Sequence, residues 1–459
     1  MSDEVTSWLA RTALPLSGLT AGVSTADLQP LTSILDGVRI VGLGEATHGT
    51  SEFFQLKHRL LEFLVEEMGF SVLAMEAGAS AGPAVDAYVR QGVGDAAGVL
   101  AGLGFWTWRT REVLGMIEWM REYNRGRPEG RKVRFAGIDP QQCGGSLAVL
   151  GSFLRKVAPD REAGLLSPLR VLAKAYPGSQ PDPQRRLVHD AEELLGFLRG
   201  RGPGAADALR HARILMQAAD LVTRARQHTD PEQTVFAARD RSMAEAVGEL
   251  LNDPSTKIAL WAHNGHITKS RHGGAVPAMG QHLHTRYGDA YYALGLLFGS
   301  GSFRARRMWP GPCPWSRPRA GALVTNRIGP ARPDTVEAQL ATASPGNHLV
   351  DLRSAANAPT AVREWLNGRH RMRSFGAMVP RWIYRFNLSP ASLAEEYDGR
   401  PTSQCRPVPN LSRPPRRPHS RPKQAQEQTA EATRTADPLS QRLLSGLEGS
   451  SIRPCPARG

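Results

Sequence analysis

The chain has 459 residues, 41% hydrophobic and 22% charged, with a formal net charge of +14. That length and balance imply a sizeable core in one large or two ordinary domains. They exclude a chain that is disordered throughout, and no run of about 18 apolar residues exists to span a membrane.

The charge is unevenly placed. Residues 400–459 hold eleven Lys or Arg against four Asp or Glu, and ten of the 34 prolines. This segment lacks apolar periodicity and is expected to have no fixed structure, leaving 1–399 as the catalytic domain. No aromatic side chain interrupts its basic run, so stacking on bases, and hence a specific nucleic-acid partner, is not expected. The opening stretch MSDEVTSWLARTALPLSG is acidic at its start and lacks a signal-peptide pattern. Cys143, Cys313, Cys405 and Cys455 form no CxxC pair, which points to a reduced, cytoplasmic protein without a zinc ribbon. No membrane partner is expected from the sequence.

In chain order, the first strand candidate is VRIVGLG, which stops just before Glu45. An amphipathic helix follows from Ser51, its expected N-cap, with Phe53, Leu56, Leu60, Phe63 and Leu64 on one stripe. FSVLAM ends at Glu76. FWTWRTRE then places Trp106, Trp108 and Arg109 in a loop before the helix TREVLGMIEWMREYNRG. KVRFAGI ends at Asp139. Residues from about 145 to 255 read as a long helical insertion without a strand. KIALWA ends at His263, DAYYALGLLFGSG is a fifth strand and NHLVDLRS a sixth. The alternation predicts an α/β fold whose central sheet is mainly parallel and flanked by helices.

Four strands thus stop at a residue able to move a proton or hold a polar group, where open α/β sheets bind ligands. Glu45 and His48 sit in GLGEATHG, whose glycines permit close approach of a ligand; capping of the following helix is the plainer alternative. His263 and His266, with Asn264 between them, follow a buried strand, and imidazoles suit general-base work near neutral pH. Glu76 completes a carboxylate-lined pocket or merely pairs with Lys57 or Arg59. Asp139, before a proline, is also a simple turn signal, and the tryptophans either line an apolar ligand site or pack. Three histidines and two glutamates also suit zinc, but the HEXXH motif is absent and no metal or cofactor is expected. There is no GxSxG elbow for a serine nucleophile.

The ordered set GLGEATHGTSEFFQLKHRLLEFLVEEMGF, AMEAGASAGPAVDAYVRQG, WTWRTREVLGMIEWMREYN, GIDPQ, RDRSMAEAV, WAHNGHI and MGQHLHTRYGDAYYALGLLFGSGSF resembles the erythromycin esterase family. The likeness runs from about residue 7 to 303 and more thinly to about 399. The resemblance implies an α/β hydrolase that opens the macrolactone ester of macrolide antibiotics and so gives antibiotic resistance; some members are labelled succinoglycan biosynthesis proteins. It implies His48 as the general base with Glu45 beside it, and Glu76, His263 and His266 as the rest of the catalytic ring. The histidines of the last pair are expected to supply an oxyanion donor. Lys57, Trp106, Trp108, Asp139 and Asn264 are expected to contact a small ester substrate; the family usually has a basic residue, often arginine, where Lys57 falls. A metal-dependent hydrolase or transferase on the same scaffold, acting on another ester, is the alternative.

Overall fold

The computed structural model describes residues 1–272, 274–309 and 319–405. The segment expected to lack fixed structure lies outside the described residues from position 406 onward.

Five short strands, β1 (Ile40–Leu43), β2 (Val72–Gly78), β3 (Arg134–Asp139), β4 (Ile258–Trp261) and β5 (Tyr291–Leu294), run parallel in the spatial order β5-β1-β4-β2-β3. Each is apolar at successive positions because both of its faces are covered. Val41, Leu43, Leu73 and Met75 enter one core with Phe53 and Phe63. Ile40, Val72, Ala74, Ile258 and Leu260 enter a second core on the opposite face. Side chains alternate across a strand, so a continuous apolar run supplies both layers.

The expected stripe of helix Ser51–Glu66 is buried as read, but its N-cap is Thr50. Ser51 is the first helical residue, and its hydroxyl instead donates to Glu112 on helix Arg111–Asn124. That second helix begins at Thr110, whose side chain accepts from Val113 N–H. Between β3 and β4 the chain is helical throughout, in helices that include Gly144–Val157, Arg186–Arg199, Ala206–Thr223 and Val235–Leu250, and much of this insertion packs around a leucine core of its own.

The fifth predicted strand divides in two. β5 ends at Leu294 and β6 (Leu297–Trp309) leaves the parallel core to form a hairpin with β7 (Arg319–Ile328). The sixth predicted strand is β8 (His348–Asp351). β6 also pairs in parallel with β9 (Met378–Pro380). A last strand, β10 (Gly399–Cys405), joins β5 and β6 in parallel and β8 in antiparallel register. The boundary read at residue 399 therefore moves: the sheet continues through Cys405, although proline-rich composition had assigned those residues to the tail. Among the described residues no helix is long and apolar enough to cross a membrane.

Candidate active site

The turn after β1 is fixed by two close backbone approaches. Gly44 N–H donates to Leu294 O at 2.8 Å, and Arg304 N–H donates to Gly49 O at 3.0 Å. A side chain at Gly44 would strike the Asn264 carboxamide, and one at Gly49 would strike the backbone of Arg304. Glycine is thus required at both ends of the turn.

Within that turn Glu45 is fully buried. Its Oε1 lies 2.6 Å from His48 Nδ1, and its Oε2 accepts from Lys57 Nζ at 2.8 Å. A carboxylate can only accept, so Nδ1 of His48 is the donor and Nε2 keeps its lone pair in the neutral ring. Lys57 also donates to Ala262 O at 3.1 Å and lies 4.7 Å above the Trp261 ring. Burial pushes its ammonium down to about 8, opposed by the charge of Glu45. The expectation that Lys57 contacts substrate is corrected: the side chain is fully enclosed and holds Glu45 from behind.

The turn after β4 faces this one. His263 N–H donates to Glu76 Oε2 at 2.9 Å, and His263 Nδ1 accepts from Gly265 N–H at 3.1 Å. Its proton therefore sits on Nε2, which donates to Phe375 O at 3.3 Å. Burial first, and the neighbouring His48 second, hold this imidazole well below its usual range. The rings of His48 and His263 have centroids 5.0 Å apart. Asn264 is a brace and not a substrate contact: its side chain exchanges hydrogen bonds with Leu296 at 2.8 and 3.1 Å, and its N–H donates to Glu45 O at 2.9 Å.

Behind both turns lies a compact knot of opposite charges. The pairing of β2 with β3 shifts register between Met75 and Gly78, a bulge at Glu76; bulges re-aim side chains beside active sites. Glu76 Oε1 lies 2.7 Å from Arg239 Nη2 and 3.2 Å from His266 Nε2. The same guanidinium reaches Asp139 Oδ2 at 2.6 Å. His266 Nδ1 lies 2.7 Å from Asp240 Oδ1, while Asp240 Oδ2 is 3.0 Å from His272 Nε2 and accepts from Met279 N–H at 3.0 Å. Burial would raise Glu76, yet the charges of His266 and Arg239 hold it well below the usual carboxylate range. Asp240 is likewise held low against burial by His266 and His272. His266 is pushed up to about 10: burial disfavours its charge, but Asp240 and Glu76 more than offset that. Arg239 Nη1 also lies 2.8 Å from His266 Nε2, so the ring expected to supply an oxyanion donor is engaged by this knot on both nitrogens.

Glu76 thus pairs with neither Lys57 nor Arg59, which bind Glu45 and Asp27. Asp139 is fully buried against Arg239 and not placed to meet a ligand. Trp108 is buried too, its ring edge-on to His48 at 5.7 Å and 88°. Trp106, in the same 3-10 turn, keeps a partly exposed face. Sequence reasoning missed Arg239, Asp240 and His272. A signal existed for one: Asp240 shares a helix face with Ala237, Ala244 and Val247, all buried, and a carboxylate in such a stripe must have a partner. Asp240, His266 and His272 place one potential ligand atom each within 4.8 Å of one another.

The sequence model of the erythromycin esterase family matches residues 65–400. The chain belongs to that family. It is accordingly a hydrolase of the erythromycin esterase type, and its match begins in the last turn of the helix that carries Lys57. Among curated relatives, erythromycin esterase type II of Escherichia coli is 26% identical over 315 residues, covering 60% of this chain and 72% of that protein. The putative hydrolase YbfO of Bacillus subtilis is 27% identical over 432 residues, covering 85% and 89%. Among solved structures, a succinoglycan biosynthesis protein superposes with a TM-score of 0.73 at 24% identity, covering 89% of this chain and 99% of that one. A mutant of the erythromycin esterase EreC in its open conformation gives 0.60 at 21% identity, covering 84% and 96%. The family's hydrolases and this chain share the α/β fold with its large central sheet.

Proposed function

We propose that the protein hydrolyses a carboxylic ester of the macrolactone kind, using His48 as general base for water, and that such turnover confers macrolide resistance. The observation that carries this reading is the relay Lys57–Glu45–His48, at 2.8 and 2.6 Å, ending in an imidazole whose second nitrogen is not taken by another residue's hydrogen bond among those described. The names of the curated relatives, erythromycin esterase types II and I, support the substrate class.

In this reading His48 Nε2 removes a proton from water while the oxygen bonds to the ester carbon. Glu45 keeps the ring in the Nδ1–H tautomer and stabilises its charge. Glu45 is paired with Lys57, and Glu76 and Asp139 share Arg239 in the knot behind it. His263 is neutral and offers Nε2–H, held by a single 3.3 Å contact to Phe375 O that a substrate oxygen can take over. A positioned donor of that kind contributes about 10²–10³ in rate. The proton on His48 then passes to the leaving alkoxide as the C–O bond breaks. Trp108 walls the base from bulk water on one side, and Trp106 offers an apolar face.

The test is incubation with a panel of macrolides and simple esters, read by mass spectrometry for the gain of one water. His48→Asn should lower kcat by at least about 10²-fold, the usual worth of a positioned base. Intact esters across the panel, or near-wild-type turnover by His48→Asn, would end the proposal.

A further inference from the structure

An apolar patch ringed by arginine lies on the β6–β9 rim. Trp309 closes β6, and Met378, Trp382, Ile383 and Phe386 follow on β9 and the turn after it. These five are exposed by 43, 48, 65, 64 and 72%. Trp309, Arg381 and Trp382 share one surface, extended by the turn to Phe386, whereas Met378, paired with Arg306, lies on the other face of the ribbon. Met378 pairs with Arg306 and Pro380 with Met308, and Arg381 N–H donates to Met308 O at 3.2 Å, which brings Trp382 beside Trp309. The two indoles meet edge-to-face at 6.2 Å. The guanidinium of Arg381 lies 3.4 Å from the centre of the Trp309 ring and 4.8 Å from that of Trp382.

The turn is held in place by the residue that points inward. Tyr384 is buried and its hydroxyl donates to Arg327 O at 3.1 Å. With Tyr384 as the plug, Ile383, Arg385 and Phe386 are left facing solvent. Contiguous apolar exposure of this kind marks a contact surface, because single exposed residues are common but clusters are not.

Charge says what the surface contacts. Residues 297–309, 320–328 and 374–390 contain no Asp or Glu, but they contain Arg306, Arg307, Arg327, Arg381 and Arg385. We propose that this patch docks the protein onto an anionic lipid surface, with Trp309 and Trp382 at headgroup depth, Ile383 and Phe386 dipping into the acyl boundary, and the arginines on lipid phosphate. Interfacial segments combine these residue types for that reason: the indole is amphipathic, and each basic group near an anionic surface adds attraction. A nucleic acid fits less well, since Ile383 offers no ring on which bases stack. The contact is peripheral and needs no membrane-spanning helix. Arg304, on the same strand, is bonded to Gly49 beside His48. Five residues of strand separate it from Trp309, about 17 Å, so docking would hold the candidate site close to the lipid.

The test uses the full chain and needs no substrate, so its outcome is independent of the esterase reading. Wild type, Trp382→Ser/Phe386→Ser and Arg381→Gln/Arg385→Gln are sedimented with vesicles of phosphatidylcholine alone or with added phosphatidylglycerol. Wild type should prefer the anionic vesicles. Removing the two aromatic anchors should weaken that partition by about tenfold or more, given the apolar area lost. Part of the wild-type binding should survive about 0.5 M salt, which screens charge but not insertion. Because Trp382, Arg385 and Phe386 are exposed and Arg381 is half-buried at the surface, melting temperatures should change little, and the basic C-terminal segment is common to all three proteins. Equal partition of wild type and the aromatic variant overturns the proposal. So does patch-dependent binding to single-stranded RNA without vesicle binding, or patch-dependent dimerisation in light scattering.

Discussion

Lys57→Arg isolates the titration of the amine behind Glu45. The unfolded chain keeps the Lys57 proton up to about its ordinary value of 10.5, whereas the folded chain releases it near 8. Between those values the unfolded state binds more protons, so the contribution of this group to stability rises with pH across that window and is flat on either side. A displacement from 10.5 to about 8 corresponds to about 3 kcal/mol at full effect, at about 1.4 kcal/mol per unit. An arginine at this position, fully enclosed as Lys57 is, stays charged throughout and has no such window. Subtracting the two unfolding free energies at each pH removes every other titrating group. The assay is urea denaturation of both proteins from about pH 7 to about pH 10.5. The difference should be constant to about 8, rise by about 3 kcal/mol in favour of the wild type, and then level. A flat difference across the range would mean that the amine is not desolvated against Glu45, and the account of how the relay is built would fail with it.

Arg239→Met leaves Glu76 and Asp139 buried without their shared cation and should cost about 3 kcal/mol or more in urea denaturation; a loss below about 0.5 kcal/mol would mean the knot is solvated. Ending the chain after Asp398 removes β10, which bonds to β5, β6 and β8, and should abolish cooperative melting. Ending it after Cys405 should leave the melting temperature within a degree or two of wild type, as expected from the composition of the residues beyond. Dialysis against a chelator should leave ester turnover unchanged, because the proposed step uses only His48 as base and His263 as donor; loss restored by zinc would instead assign Asp240, His266 and His272 as ligands.

Much of the fold was legible because its cues are local. Four strands of β-branched and aliphatic residues end in polar groups, and Glu45 and His48 are three positions apart in one turn, so their pairing needed no knowledge of the rest of the chain. What was misread depended on distant partners. Lys57 looked like a ligand contact because nothing near it in sequence announces that Ala262, 205 positions away, closes over it. Arg239 stood unremarked in RDRSMAEAV because its carboxylates are 163 and 100 positions distant. Proline and arginine around residue 400 masked a strand, since backbone pairing leaves no trace in side-chain periodicity. The extension of β6 toward Trp309 was hidden for a related reason: a hairpin that rises off the sheet buries only part of each face.

The same separations bear on how the protein reaches activity. The candidate site is not complete in one stretch of chain: Glu45, His48 and Lys57 are close in sequence, but Ala262 closes over Lys57 from the end of β4, and Glu76 waits for Arg239 at the far end of the insertion. Loop closures of 100 to 205 residues must all be complete before the charges find their partners, and such closures are the slow part of assembly. A chain still emerging, or stalled with half a sheet, therefore lacks the packed relay on which the proposed hydrolysis depends. Catalytic power in this design arrives at the end of folding, all at once, and its appearance marks a finished molecule.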